Sequence, residues 1–173
     1  GHGYLDDENN TGYWQPVDAE IKKDYTWISN SYVTEQLTAI KAKHIMVIAD
    51  SCYSASLIYR SGSDEEKPLE KNNLKIFYDK KNSKKARLAL SSGDYQNVPD
   101  SLDGKHSPFA NALFFALNQN NSVLLSSELY KLVERQLALE SKYQEPQYGA
   151  IINAGHREGA DFIFNPLKVA NNN

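Results

Sequence analysis

The chain has one cysteine, Cys52, and it comes just after the apolar run HIMVIA, in the stretch HIMVIADSCYSAS. A free thiol, with a pKa of about 8.5, is only a few per cent thiolate at neutral pH. Nucleophilic use therefore calls for an imidazole or another positive group nearby. A single cysteine cannot form an intramolecular disulfide, so Cys52 is either an inert buried thiol or a chemically used one. An inert thiol belongs inside the apolar run. Cys52 instead follows it, in a polar stretch that can expose the sulfur.

Four histidines could serve as its partner. His44 opens the apolar run at its far end, and His106 and His156 fall in loop-like sequence, so each reads as a structural or surface residue. His2 stands between Gly1 and Gly3. Glycines on both sides permit backbone conformations closed to other residues and favour an exposed N–H beside the imidazole. The competing reading of Gly-His-Gly is a merely flexible end.

The elements that would position these groups can be read from periodicity. Asn30 is placed as N-cap of an amphipathic helix through Ala42, with Val33, Leu37 and Ile40 at helical spacing and Lys41 and Lys43 matched to the dipole at its last turn. His44 to Ala49, short and rich in β-branched residues, predicts a strand buried on both faces of a parallel sheet. Asp50-Ser51-Cys52 then lies at the carboxyl end of a strand, where open α/β sheets collect functional groups.

Residues 61–85 are dense in charge and turn formers around the cluster LKIFY (Leu74 to Tyr78), and read as a mobile connection. Ala86 to Leu90 predicts a second strand that ends at Ser91-Ser92-Gly93-Asp94. Ser107 followed by Pro108 marks the start of a helix to about residue 119, with Phe109, Leu113, Ala116 and Leu117 on one face. Ser126 or Ser127 caps another, with Leu129, Leu132, Val133 and Leu137 on its face. Tyr148 to Ile152 and Asp161 to Phe164 read as late strands. This alternation predicts an α/β layered domain.

His2 and Cys52 are 50 positions apart, a separation known for the histidine and cysteine of caspases. Gly1-His2-Gly3 and Asp50-Ser51-Cys52-Tyr53-Ser54 resemble the histidine and Asp-Ser-Cys motifs of caspase-like cysteine peptidases (peptidase family C14), in the metacaspase and bacterial orthocaspase branch. Tyr13 to Ala19 (YWQPVDA), Leu90 to Gly93, His106 to Phe109, and Gly155-His156 through Phe162 are similar to further segments of that family, so the resemblance covers nearly the whole chain. Either motif alone is weak. Both, in order and at this separation, form a specific signal.

The resemblance implies a caspase-like three-layer sandwich, a mostly parallel sheet flanked by helices. It also implies that the strands before the histidine are absent from this chain. A start at Gly1 without methionine is likewise expected of a piece of a longer chain. One incomplete domain is expected, with residues 1–60 large-subunit-like, 61–85 the connection, 86–165 small-subunit-like and 166–173 a tail.

By the same resemblance Cys52 is the nucleophile and His2 its base. The N–H groups of Gly3 and Cys52 form the oxyanion hole, and Asp50 receives a basic substrate side chain, with Ser92 and Asp94 lining the same pocket. A carboxylate there favours guanidinium or ammonium and repels an acidic substrate. The expected activity is a thiol endopeptidase cleaving protein or peptide substrates after Arg or Lys. Autoprocessing is expected at Arg60, Lys67, Lys71, Lys80, Lys81, Lys84 or Lys85. An inactive, partner-binding scaffold of the same fold is the alternative, although degenerate relatives usually lose the cysteine or the histidine. Tyr53 stands where many relatives have histidine, and Ala55, where glycine is usual, is expected to restrict the turn after the nucleophile.

No cofactor is expected. Asp6, Asp7 and Glu8 are the residues a calcium-dependent member would use, or simply a solvated turn. With 19 basic and 22 acidic residues, a net charge of −3 and 40% hydrophobic content, the chain offers no electrostatic case for nucleic acid or an anionic membrane. No apolar run reaches the roughly 18 residues needed to span a bilayer. A soluble, cytoplasmic protein is expected.

Overall fold

The structure is a computed structural model that describes residues 1–51, 54–59, 73–93, 106–140 and 144–166. The first element is an antiparallel hairpin. Strand β1 (His2–Asp6) pairs with β2 (Thr11–Gln15), and β2 pairs in turn with the short β3 (Ile28–Ser29). Asn10, in left-handed backbone at φ 49°, ends the turn between β1 and β2, a conformation Asn tolerates better than most residues.

Helix α1 (Asn30–Ala39) follows directly. Its N-cap is Ser29 rather than Asn30: the Ser29 hydroxyl accepts the Tyr32 N–H at 3.2 Å. Asn30 turns inward, where its Oδ1 accepts the Trp14 indole N–H at 2.5 Å and its Nδ2 donates to Ser56 Oγ. Both residues are competent caps, and burial against Trp14 decides between them. The helix stops at Ala39, so Lys41 and Lys43 lie beyond it and do not complement its last turn.

A second sheet has the order β4-β6-β8-β5. It is built from β4 (His44–Ala49), β5 (Ile58–Tyr59), β6 (Ala86–Ser91) and β8 (Gln147–Ile151). Strands β4 and β6 are parallel, from His44 opposite Ala86 to Ala49 opposite Ser91, whereas β8 runs antiparallel to both β6 and β5. The described sheet is thus mixed, where a mostly parallel one was expected. Every residue of β6 is buried. Strand β4, expected to be buried on both faces, lies at the edge of the sheet formed by the described residues, and Ile48 remains 38% exposed.

Helices cover both faces of this sheet. Leu90 packs with Phe109, Ala112 and Ala116 of α3 (Pro108–Asn118) and with Leu129, Val133 and Leu137 of α4 (Ser126–Glu140). On the opposite face Ala89 and Ile151 meet Val33 and Leu37 of α1, with Trp14 of β2 beside them. Leu132, expected on the buried stripe of α4, is 39% exposed. Strands β7 (Leu124–Leu125) and β9 (Ile163–Phe164) form a small separate ladder, and β9 is shorter than the expected strand from Asp161.

Neither serine at the start of α4 caps it in the expected way. Glu128 reaches back to the Leu125 N–H at 2.9 Å, while Ser126 and Ser127 both donate to the buried carboxylate of Asp161. Asp161 also accepts the N–H groups of Ser126 at 3.1 Å and Phe162 at 2.7 Å, which makes it the tie between α4 and the closing segment.

The segment read as a mobile connection contains a helix, α2 (Leu74–Ser83), with Lys80 and Lys81 in its last turn. Lys84 anchors its end by donating to the Glu158 carbonyl at 2.8 Å. Charge density hid this helix because its polar residues pair locally, Lys75 with Asp79 at 2.8 Å. Cleavage at Lys80 or Lys81 would require unwinding it. Arg60, Lys67 and Lys71 lie outside the described residues. Among the described residues no helix is long and apolar enough to cross a membrane.

Candidate active site

Parallel pairing carries the ends of β4 and β6 to the same edge of the sheet, and the ladder continues one step further, where the Ser92 N–H donates to the Ala49 carbonyl at 2.9 Å. The loops beyond are stitched together by short side chains. Ser54 Oγ sits 2.7 Å from the Ser51 carbonyl and within hydrogen-bond distance of Ser91 Oγ, and Ser91 Oγ donates to the Gly93 carbonyl at 2.8 Å. Ala55, expected to restrict this turn because relatives usually have glycine there, is buried in a single 3-10 turn over Ser54–Leu57. Right-handed helical backbone makes no demand for glycine.

The start of β1 meets this edge. Gly1 N donates to the carbonyl oxygen of Asp50 at 2.8 Å, across 49 positions of sequence. His2, the first residue of β1, is exposed and stands opposite Gln15; Gly3 is half-buried opposite Trp14. The histidine motif and the Asp-Ser segment of the cysteine motif are therefore neighbours. Cys52 and Asp94 lie outside the described residues.

Asp50 is half-buried, and its Oδ2 accepts a hydrogen bond from Ser107 Oγ. Ser107 is also the N-cap of α3 and accepts the Ala110 N–H at 3.0 Å, with Pro108 in the first turn as expected. The hydroxyl thus relays between the helix N-terminus and the carboxylate. Among the described residues Oδ1 has no hydrogen-bond partner. Sequence reasoning named Ser107 only as a cap; its position 57 residues from Asp50 carried no signal of their contact.

Ser92 is fully buried. Its carbonyl accepts from Gln144 Nε2 at 2.9 Å, and among the described residues its Oγ has no hydrogen-bond partner.

The other histidines serve structure. His44 Nε2 donates to the Lys84 carbonyl at 3.0 Å, and the His106 ring meets Phe114 edge-on at 5.0 Å. His156 accepts the Arg87 N–H on Nδ1 at 3.2 Å, and burial holds its pKa below the ordinary histidine range, partly opposed by Asp161. Burial likewise pushes up the Tyr148 phenol, which lies beside Asp161.

At the hairpin turn Asp6 accepts from the N–H of Glu8 at 3.0 Å and from Asn9 Nδ2 at 2.7 Å. The Asn9 bonds and the turn N–H groups hold its carboxyl below the usual range. Asp6 thus builds the turn, and among the described residues no group of three or more His, Cys, Asp or Glu is placed to hold a metal ion.

Two cavities lie elsewhere. One of about 730 Å³ is bordered by Thr11, Asn30, Thr34 and Asn153, and one of about 1120 Å³ by Tyr130, Tyr148 and His156. Neither includes His2 or Asp50. Chemistry is better placed at the strand ends, where the segment carrying His2 meets the segment carrying Asp50, than in either cavity. No protein-family model and no curated protein matches this sequence.

Proposed function

We propose that the chain is the catalytic part of a caspase-like cysteine endopeptidase that cleaves after Arg or Lys. The observation that supports the reading is the 2.8 Å contact between Gly1 N and the Asp50 carbonyl, which sets the residue before His2 against the residue two before Cys52. A used thiol needs an imidazole within reach, and this contact brings the two motifs together although 49 residues separate them.

In this reading Cys52 attacks the scissile carbonyl as thiolate, after His2 has taken its proton. The carbonyl oxygen becomes an oxyanion received by the N–H groups of Gly3 and Cys52, an arrangement whose donors are typically worth about 3 to 4 kcal/mol each in the transition state. Collapse breaks the C–N bond, and His2 returns the proton to the leaving amine. Water, deprotonated by His2, then hydrolyses the thioester and restores the thiol.

Asp50 supplies the specificity. Held by Ser107 on one oxygen, it presents the other to a cationic side chain, and the planar fork of arginine suits it best. Acidic side chains are repelled. The fold implied by the resemblance includes further strands before the histidine, and the edge that β4 forms among the described residues is compatible with one of them pairing there. Calcium dependence forms no part of the proposal, since Asp6 is engaged in the hairpin turn.

The test presents the full chain, with any upstream part of its domain, with peptides bearing Arg, Lys or Asp before a reporter group, alongside Cys52→Ala and Asp50→Ala. Release after Arg and Lys only, lost in both variants, is the expected result. Cleavage after Asp, or an unchanged Asp50→Ala, would overturn the pocket assignment. No cleavage of any peptide would favour the partner-binding scaffold.

A further inference from the structure

Beyond His2, the β1–β2 hairpin and the residue before β3 carry a group of aromatic rings that the catalytic reading does not use. Directly opposed residues of an antiparallel pair share a face, and successive residues alternate. His2 faces Gln15 and Tyr4 faces Tyr13 in the β1–β2 register, so His2, Tyr4 and Asp6 occupy one face, with Gly3 and Leu5 on the other. Trp14, opposite Gly3, packs into the core, which makes the His2 face the outer one.

On that face Trp27 closes over the tyrosines. Its ring centroid lies 4.8 Å from Tyr4 at an interplanar angle of 53° and 5.8 Å from Tyr13 at 68°. The indole N–H donates to the Glu20 carbonyl at 3.1 Å, which fixes the ring and satisfies its one polar group. None of the three rings belongs to a core cluster, and Tyr4 is 45% exposed. Three rings held this way outside the core form a preorganised surface whose faces carry negative quadrupole potential.

We propose that Tyr4, Tyr13 and Trp27 form the subsite for a cationic side chain, arginine above all, at the second or third residue of the leaving peptide. The proposal rests on the peptidase reading, which fixes the direction. A base that protonates the leaving amine stands on the leaving side, and β1 runs outward from His2, away from Asp50. Tyr4 is two residues along, roughly 6.7 Å, and an extended substrate advances by the same rise per residue.

Charge selects the occupant. Asp6 follows Tyr4 on the same face, ionised by its turn contacts, and Asp7 and Glu8 are exposed just beyond. A guanidinium lying flat over Tyr4 within about 6 Å of the ring gains the cation–π attraction and points its fork toward these carboxylates. A glutamate in the same place meets only repulsion.

The test measures affinity separately from cleavage. Cys52→Ala protein is titrated with fluorescent peptides that keep Arg before the scissile position and carry Arg, Leu or Glu at the second and third leaving-side positions. The titrations are repeated in Cys52→Ala/Tyr4→Leu, a change that keeps bulk at a part-exposed site. Arg should bind about 3- to 10-fold more tightly than Leu, with Glu weakest, and Tyr4→Leu should erase the difference between Arg and Leu. Equal affinities, or a preference unchanged by Tyr4→Leu, would overturn the subsite whatever the chain cleaves. A Tyr4-dependent preference for Arg without cleavage by the unmodified chain supports the cation subsite and overturns the peptidase reading.

Discussion

Gly1 N and the Asp50 carbonyl oxygen are joined by a 2.8 Å hydrogen bond across 49 residues, and through it the origin of β1 is tied to the end of β4. His2 is the next residue, exposed and on the outer face of the hairpin. Its removal therefore leaves the packed core untouched. His2→Ala is expected to lower kcat/KM for an Arg-reporter peptide by about 10²- to 10⁴-fold, the usual contribution of a positioned acid–base group, while the thermal midpoint stays constant. Steady-state kinetics and a melting curve on the same preparation check both halves. An unchanged rate would remove His2 from the mechanism.

Asp50 and Ser107 tie the end of β4 to the start of α3, and two substitutions separate the proposed recognition role from the capping role. Ser107→Ala removes the N-cap bond to Ala110 together with the Asp50 contact, and should lower stability by about 1 kcal/mol in urea unfolding. Asp50→Asn keeps an acceptor oxygen for Ser107 but loses the charge. Its stability should stay close to that of the parent, while cleavage after Arg collapses. A stability loss in Asp50→Asn as large as that in Ser107→Ala would make Asp50 a structural cap and nothing more.

The parts of this arrangement legible in sequence were those set by local pattern. The apolar run at His44 to Ala49 and the Ser107-Pro108 start of α3 reflect side chains whose surroundings lie within a few residues. Where the structure departs, a distant partner decided. Ser29 caps α1 because Asn30 is drawn inward by Trp14, 16 residues away. Among the described residues β4 has one neighbouring strand, and no local pattern reveals how many neighbours a strand has. The hairpin was readable in principle: DENN between GYL and GYW is a polar turn flanked by strand formers. Of the candidate site, His2 and Asp50 were named from sequence, whereas the Ser107 contact and the aromatic face arise from pairings invisible in one dimension.

Arg87 carried a signal that sequence reasoning passed over, a cation inside the run ARLAL. Its side chain is fully buried, and it donates to the carbonyls of Lys43 and Ala86 at 3.0 Å, Ile40 at 3.0 Å and Ala42 at 2.6 Å. Ile40 is the C-cap of α1, so the guanidinium sits at the negative end of that helix and fixes the loop leading into β4. Burial lowers the pKa of the group without discharging it. Arg87→Met should cost at least about 2 kcal/mol in urea unfolding, since it orphans several carbonyls at once. Arg87→Lys, with one ammonium for four acceptors, should fall between. A neutral Arg87→Met would mean that these carbonyls find other partners.

His156 provides a pH dependence whose sign follows from its contact. Nδ1 accepts the Arg87 N–H, so the folded state needs this nitrogen unprotonated, and burial depresses the folded pKa below the ordinary value of 6.5. Above the unfolded pKa the ring is neutral in both states and the full stability is present. As pH falls from there toward the folded pKa, the unfolded chain takes up the proton first, and stability is lost. The urea midpoint should therefore decline between about pH 7 and pH 5 by more in the parent than in His156→Gln, whose amide oxygen can accept the same N–H without titrating. Parallel declines in the two proteins would show that the Arg87 contact does not couple folding to protonation of this ring.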